Sequence, residues 1–279
     1  MLGCVYALVA VGLSLIFGVM KLVNLAHGGF FMLGAYIVYW LDILYGVNPY
    51  IALVPSLILV SLIGLLVMRF CFRPFLYAEP PVLRYKLQLF MSLALMYIFE
   101  SSAVLLWQED TRELASPLRF TSVNLGSFSL AGDYVVAITL TAAILALLTL
   151  FLKKTMLGRA IVGTSQNMTA ALLMGVNVER VYLLTFAVAT MMAVAAGVLF
   201  GMLVNITPYM GLFPTVMAFS IIILGGMGNL PGALIGAFII GISQSAAVVY
   251  LGGPWKDVVA FIIVIIVLLI RPQGLLGGR

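Results

Sequence analysis

Phe261-Ile262-Ile263-Val264-Ile265-Ile266-Val267-Leu268-Leu269-Ile270 is a run of ten residues without one polar side chain. A strand of a membrane barrel alternates polar and apolar positions, because one face meets water and the other meets lipid. An unbroken run has no such alternation. In lipid it closes its backbone hydrogen bonds within itself, so it is helical. Runs of the same kind fill the rest of the chain. Of the 279 residues, 64% are hydrophobic and 8% are charged, against about 25% charged in an ordinary soluble domain. Too few polar side chains exist to wet a soluble surface of this size, and lipid must be the main solvent.

A spanning helix takes about 20 apolar residues. On that measure helices are predicted near 2–19, 28–45, 51–70, 87–107, 134–152, 182–204, 212–226, 233–251 and 257–270. The seventh and ninth are short, and the second reads as tilted or partly re-entrant. The fold expected is therefore all-α, a polytopic transmembrane bundle of about nine helices forming a single domain over 1–279. The net charge of +5 does not mark a nucleic-acid binder, because the basic residues flank hydrophobic runs instead of forming one patch. Cys4 and Cys71 fall at opposite ends of this layout, which argues against a disulfide.

Lys and Arg in short loops set orientation. Segment 69–86 holds Arg69, Arg73, Arg84 and Lys86 against Glu79. Segment 153–181 holds Lys153, Lys154, Arg159 and Arg180 against Glu179. Segment 108–133 instead has Glu109, Asp110, Glu113 and Asp133 with Arg112 and Arg119. The first two face the cytoplasm and the third faces out. Counting spans from there puts 205–211 and 252–256 outside and Arg271 inside. It also puts residue 1 outside, from which a tenth, preceding helix is expected. Segment 153–181 is too long for a turn. Its stretch Thr169 to Met174, stopped by Gly175, predicts a short amphipathic helix along the inner face.

No enzyme site emerges. His27 is the one histidine, so a multi-histidine metal site is unavailable. There is neither a G-x-S-x-G elbow nor a G-x-x-x-x-G-K phosphate loop, so nucleotide energy must come from a partner. Two stretches interrupt the apolar runs: Asn24-Leu25-Ala26-His27-Gly28-Gly29, and Leu224-Gly225-Gly226-Met227-Gly228-Asn229-Leu230-Pro231-Gly232. Such backbone either lines a cavity or packs on protein. For the first stretch, a solute pathway and a tight inside turn are equally good readings. For the second, the tight turn is favoured. Gly232, Gly236 and Gly241 read as helix-packing surfaces. Glu100 falls near the middle of helix 87–107, where a carboxylate is costly. It has either a pathway role or a protonated, locally satisfied one. Asp42 and the pair Lys256–Asp257 lie near helix ends and are expected to snorkel to water.

These residues together resemble a family. Tyr6-Ala7-Leu8 through Gly12, followed by Asn24-Leu25-Ala26-His27-Gly28, is similar to the opening of LivH-type permeases of branched-chain amino acid ABC transporters. Gly158-Arg159-Ala160, with Ala171 and Gly175-Val176-Asn177, resembles the cytoplasmic coupling loop of that family. Gly225 through Ala233 and Arg271-Pro272-Gln273-Gly274-Leu275 resemble its closing segments. The coupling loop is less charged here than in the family pattern, with Val162, Gln166 and Asn167 at positions often charged.

The resemblance implies an importer of the bacterial inner membrane. A second related permease, two cytoplasmic ATP-binding subunits and an extracytoplasmic solute-binding protein would be its partners. This chain would bind no cofactor, ATP being held by the partner subunits. Asn24, His27, Gly28 and Glu100 are the expected pathway residues. Gly158, Arg159, Ala160, Ala171, Gly175 and Asn177 are the expected ATPase-coupling residues. An ATP-independent secondary transporter or channel is the alternative.

Overall fold

The structure, a computed structural model, describes residues 1–76, 78–114, 118, 121–125 and 128–277; Arg119, one of the two bases counted in 108–133, lies outside them. The helices are α1 (Leu2–Met20), α2 (His27–Tyr45), α3 (Pro49–Val67), α4 (Pro81–Trp107), α5 (Gly132–Lys154), α6 (Met156–Gln166), α7 (Met168–Leu173), α8 (Val178–Gly201), α9 (Leu212–Gly225), α10 (Leu230–Tyr250) and α11 (Lys256–Ile270). Eight helical stretches among the described residues are long and apolar enough to cross a membrane, and α9 is a shorter apolar helix. All nine expected spans are present in order.

Caps explain where the elements begin. Asn48 accepts from the Tyr50 amide at 3.0 Å, with Pro49 opening α3. Asn177 accepts from the Arg180 amide at 3.0 Å and starts α8 four residues before the expected boundary. Pro81 opens α4 six residues early, so Arg84 and Lys86 ride on its first turns instead of a loop. Asp257, expected to reach for water, instead accepts from the fully buried Gln244 at 3.1 Å. The outer segment 108–133 also contains a feature absent from the all-helical expectation: strands β1 (Ser122–Leu125) and β2 (Phe128–Ala131) form an antiparallel hairpin.

The contacts between helices repeat. α1 packs on α9 and α10, and α8 packs on α2 and α3. α2 meets α3 as α9 meets α10, and α2 meets α4 as α9 meets α11. α1 with α8, and α2 with α9, close the arrangement on themselves. Exchanging α1–α4 with α8–α11 thus preserves the pattern. Four spans, α2 to α5, lie between α1 and α8, so the two halves run oppositely, the inverted repeat common in transporters. The two interrupted stretches, 24–29 and 224–232, are not counterparts in this repeat. The counterpart of the bend 21–26 is 202–211.

Bonds between segments agree with the sidedness read from charge. Arg73 pairs with Glu179 at 3.0 Å, joining the two basic segments. Tyr209 donates to Glu109 at 2.8 Å, and Arg112 pairs backbone to backbone with Ile206, joining the two segments assigned outside. At the inner turn, Gly225 and Gly232 pack backbone on backbone, and so do Gly18 and Gly228. The tight-turn reading therefore holds for 224–232. Asn229 caps α10 through the Gly232 amide at 2.9 Å and donates to the Leu276 carbonyl at 2.8 Å. Asn229→Ala loses both bonds. The missing cap alone costs about 0.5–2 kcal/mol, and a lower melting temperature of the purified chain is expected. Asn229→Asp keeps the acceptor and falls between the two; equal melting of all three would show that the turn does not depend on this side chain.

Candidate functional site

The bend after α1 does not sit at the inner surface. A Cβ added at Gly12, midway along α1, would lie 3.2 Å from His27 Nε2 and 3.1 Å from the Ala189 carbonyl oxygen of α8. Gly12 is eight residues before Met20, about 12 Å up the helix. Residues 21–26 therefore climb back into the bundle, and α2 starts near mid-depth. His27, expected between helices, is its first residue. The same happens from the other side. Segment 202–211, expected as the end of helix 182–204 followed by an outer loop 205–211, descends until Gly211 meets Gly28, and each glycine leaves no room for a Cβ against the carbonyl of the other. α2 and α9 are thus discontinuous helices whose N-termini meet inside the membrane. Thr215 locks the α9 start by donating to the Gly211 carbonyl at 2.8 Å.

Asn24 and His27 are 0% exposed, and none of their side-chain polar atoms has a hydrogen-bond partner among the described residues. Unsatisfied buried groups cost about 1–3 kcal/mol each, so a packed core gains nothing from them. They lie on the α1–α8 side of the junction. Gly29, on another side of α2, receives the Phe99 ring of α4.

That contact fixes Glu100. Phe99 packs against Phe30 with ring centres 5.1 Å apart and planes tilted by 57°, and Trp107 stacks flat on Tyr36 at 4.4 Å. α4 therefore runs alongside α2, with Phe99 level with the α2 start. Glu100 is six residues past the midpoint of this longer helix and seven from its end, and its neighbours place it at mid-depth. It is half-buried, and no hydrogen bond or ion pair engages it among the described residues. Insertion of a carboxylate at such depth costs about 2.5–3.5 kcal/mol. Asn24, His27 and Gly28 form one group at the junction; Glu100 stands apart from them across α2.

The inner segment folds as two helices. α6 is capped by Thr155, whose hydroxyl accepts from the Gly158 amide at 2.9 Å. Its buried residues Gly158, Ile161 and Thr164 face α1, α5 and α8. Gly158 packs so closely on the Phe151 carbonyl and Leu152 that no Cβ fits. Arg159 is exposed and donates to the Met156 sulfur at 3.2 Å, while Ala160 is partly buried. α7 is the short helix expected at 169–174. It buries Ala171, is capped by Asn167, and ends at Gly175 with φ +78. Asn177 then caps α8. Met156, Leu157, Leu172, Leu173 and Met174 of this segment are exposed apolar side chains, outside the spanning helices.

Residues 1–268 match the family described as branched-chain amino acid transport system / permease component. The chain is 33% identical over 292 residues to the high-affinity branched-chain amino acid transport system permease protein LivH of Salmonella typhimurium, covering 99% of this chain and 92% of that protein. It is 31% identical over 290 residues to BraD of Pseudomonas aeruginosa, a permease protein of the same description, with the same coverage of each. It is 29% identical over 278 residues to a probable branched-chain amino acid transport permease protein LivH of Methanocaldococcus jannaschii, covering 97% of this chain and 88% of that protein. No solved structure gives a significant match.

Proposed function

Since the chain belongs to the branched-chain amino acid transport permease family, we propose that it is the membrane-spanning subunit of an importer that carries branched-chain amino acids through the plasma membrane on energy supplied by partner ATPases. The observation that carries this is the inner segment. α6 is wedged under the inner ends of α1, α5 and α8 and presents, with α7, exposed apolar side chains and the exposed Arg159. An apolar patch on an aqueous surface marks a docking site, and the chain has no phosphate loop of its own. A second related permease, two ATP-binding subunits below and a solute-binding protein above complete the assembly. This chain holds no cofactor and performs no chemistry.

The mechanism follows from the packing. Nucleotide binding draws the ATPases together and displaces α6. Because α6 bears on α1 and α8, the displacement reaches the crossing at Gly12 and Ala189, and from there the junction of Gly28 with Gly211. Opening of that junction gives Asn24 and His27 the water or solute partners they lack when it is closed. Nucleotide can shift this equilibrium only by its differential affinity for the two states. Gly158, Arg159, Ala160, Ala171, Gly175 and Asn177 form the coupling element, and Asn24, His27, Gly28 and Glu100 stand near the path.

The test is reconstitution. Proteoliposomes holding the chain with its partner permease, ATPases and binding protein should take up a radiolabelled branched-chain amino acid only with ATP inside the ATPase compartment. The chain alone should accumulate none under a sodium or proton gradient. Accumulation by the chain alone, without nucleotide, would establish the secondary transporter instead.

A further inference from the structure

We propose that the outward face of α4 around Glu100 and Ser101 lines the aqueous solute path, and that Glu100 holds the ammonium end of a zwitterionic amino acid as it passes. This rests on the importer reading and adds to it a selective element within the membrane part itself.

Three observations converge. Phe99 and Trp107 fasten one side of α4 to α2; Tyr97 and Ser101, four residues apart, share the face turned away from the chain's own core, and Glu100, seven residues before Trp107, sits at the border between the two. Tyr97 and Ser101 are exposed there and Glu100 is half-buried. Glu100 also lies level with the mid-depth junction of α2 and α9, where lipid would surround an outward side chain, and no Lys or Arg pairs with it among the described residues. Finally, it is within electrostatic reach of Tyr209, which donates to Glu109. Two carboxylates, Glu109 and Glu100, thus both lie within reach of Tyr209.

Hydrocarbon cannot solvate a carboxylate, and an apolar subunit face would leave it equally uncompensated. A wet passage meets the requirement. The solute's chemistry matches the site: a branched-chain amino acid is an apolar body carrying one ammonium and one carboxylate. A lone carboxylate without supporting donors attracts the ammonium yet binds it weakly, so release is fast. Neutral amides and urea gain nothing from it.

The experiment uses the assembled complex in nanodiscs, in a Cys4→Ser/Cys71→Ser background that serves as the parent. Ser101→Cys keeps Glu100 in place and adds a thiol beside it. Its reaction rate is measured with a quaternary-ammonium methanethiosulfonate and with its sulfonate counterpart. The cationic reagent should react about tenfold faster, the low end of what a charged, walled cleft produces. Adding Glu100→Gln should remove most of that preference. Tyr97→Cys, one turn away, gives the same readout should Ser101→Cys fail to assemble. Reaction with lipid-soluble N-ethylmaleimide but with neither charged reagent would put the face against lipid and overturn the proposal. A cation preference that survives Glu100→Gln would overturn the role of the carboxylate. Uptake by the parent complex tests the importer reading separately, so ATP-driven uptake with an unreactive Ser101→Cys would sink this inference alone.

Discussion

Gly28→Val leaves a chain that does not transport and melts well below the parent. At this position α2 crosses the start of α9 with no side chain between the backbones. A Cβ on Gly28 would overlap the Gly211 carbonyl, and one on Gly211 would overlap that of Gly28. Overpacking against side chains costs about 1–3 kcal/mol, because those can rotate away. Here the obstacle is main chain on both sides, held by Thr215 below and by the α1–α8 crossing behind, so the cost lies at or above that range. The two N-termini must separate, and the buried bends behind them move too. Gly211→Val should fail to the same degree, since the contact is reciprocal. Gly253→Ala is the control: its added Cβ meets nothing within 4 Å. The readouts are the melting temperature of the purified chain and amino acid uptake by the complex. Parent-like melting of Gly28→Val would mean that the helices do not meet there.

The same junction shows what the sequence could and could not disclose. Nine spans were legible because each is a run of apolar residues, and composition alone decides whether such a run prefers lipid. Sidedness was legible because bases cluster on alternate sides, and the Arg73–Glu179 pair agrees with it. The depth at which a helix begins is different. α2 starts at mid-depth because Gly12, Ala189 and Gly211 surround it, and those contacts join residues far apart along the chain. The polar, glycine-rich stretch at 24–29 signals an interruption without saying at what level it sits. Segment 202–211 signals even less, since Met202, Leu203, Val204 and Ile206 read as a short apolar continuation of α8.

Other misses had a signal that went unused. Val123-Asn124-Leu125 and Phe128-Ser129-Leu130 alternate apolar and polar residues across a Gly-Ser pair, a hairpin pattern. Asn177, followed by Val178-Glu179-Arg180, is a helix N-terminus. Gln244 gave no hint of its partner, because Asp257 lies on the next helix and only folding brings them within 3.1 Å.

Gly158→Val, by contrast, is expected to yield a chain that inserts and pairs normally yet no longer couples. The glycine lies at the corner where α5 turns into α6, against the Phe151 carbonyl and Leu152. Its amide is held by Thr155, which also donates to the Phe151 carbonyl at 2.7 Å. A valine here pushes α6 off its seat without reaching the Gly28–Gly211 junction. The spanning helices stay packed while the exposed side chains Met156, Leu157, Leu172, Leu173 and Met174 shift relative to whatever docks on them. Because a helix transmits displacement only while both its faces stay engaged, uptake should fall at least about tenfold, equivalent to roughly 1.4 kcal/mol lost from the coupled step. Arg159→Ala probes the opposite face. No acidic partner engages its guanidinium among the described residues, so packing loses little, but an interfacial arginine can be worth about 2 kcal/mol to docking. The ATPases should then co-purify less readily with Arg159→Ala. They should remain bound to Gly158→Val, hydrolysing ATP without moving solute. Normal uptake by both variants in fully assembled complexes would remove this corner from the coupling path, and the motion of the ATPases would have to enter the bundle elsewhere.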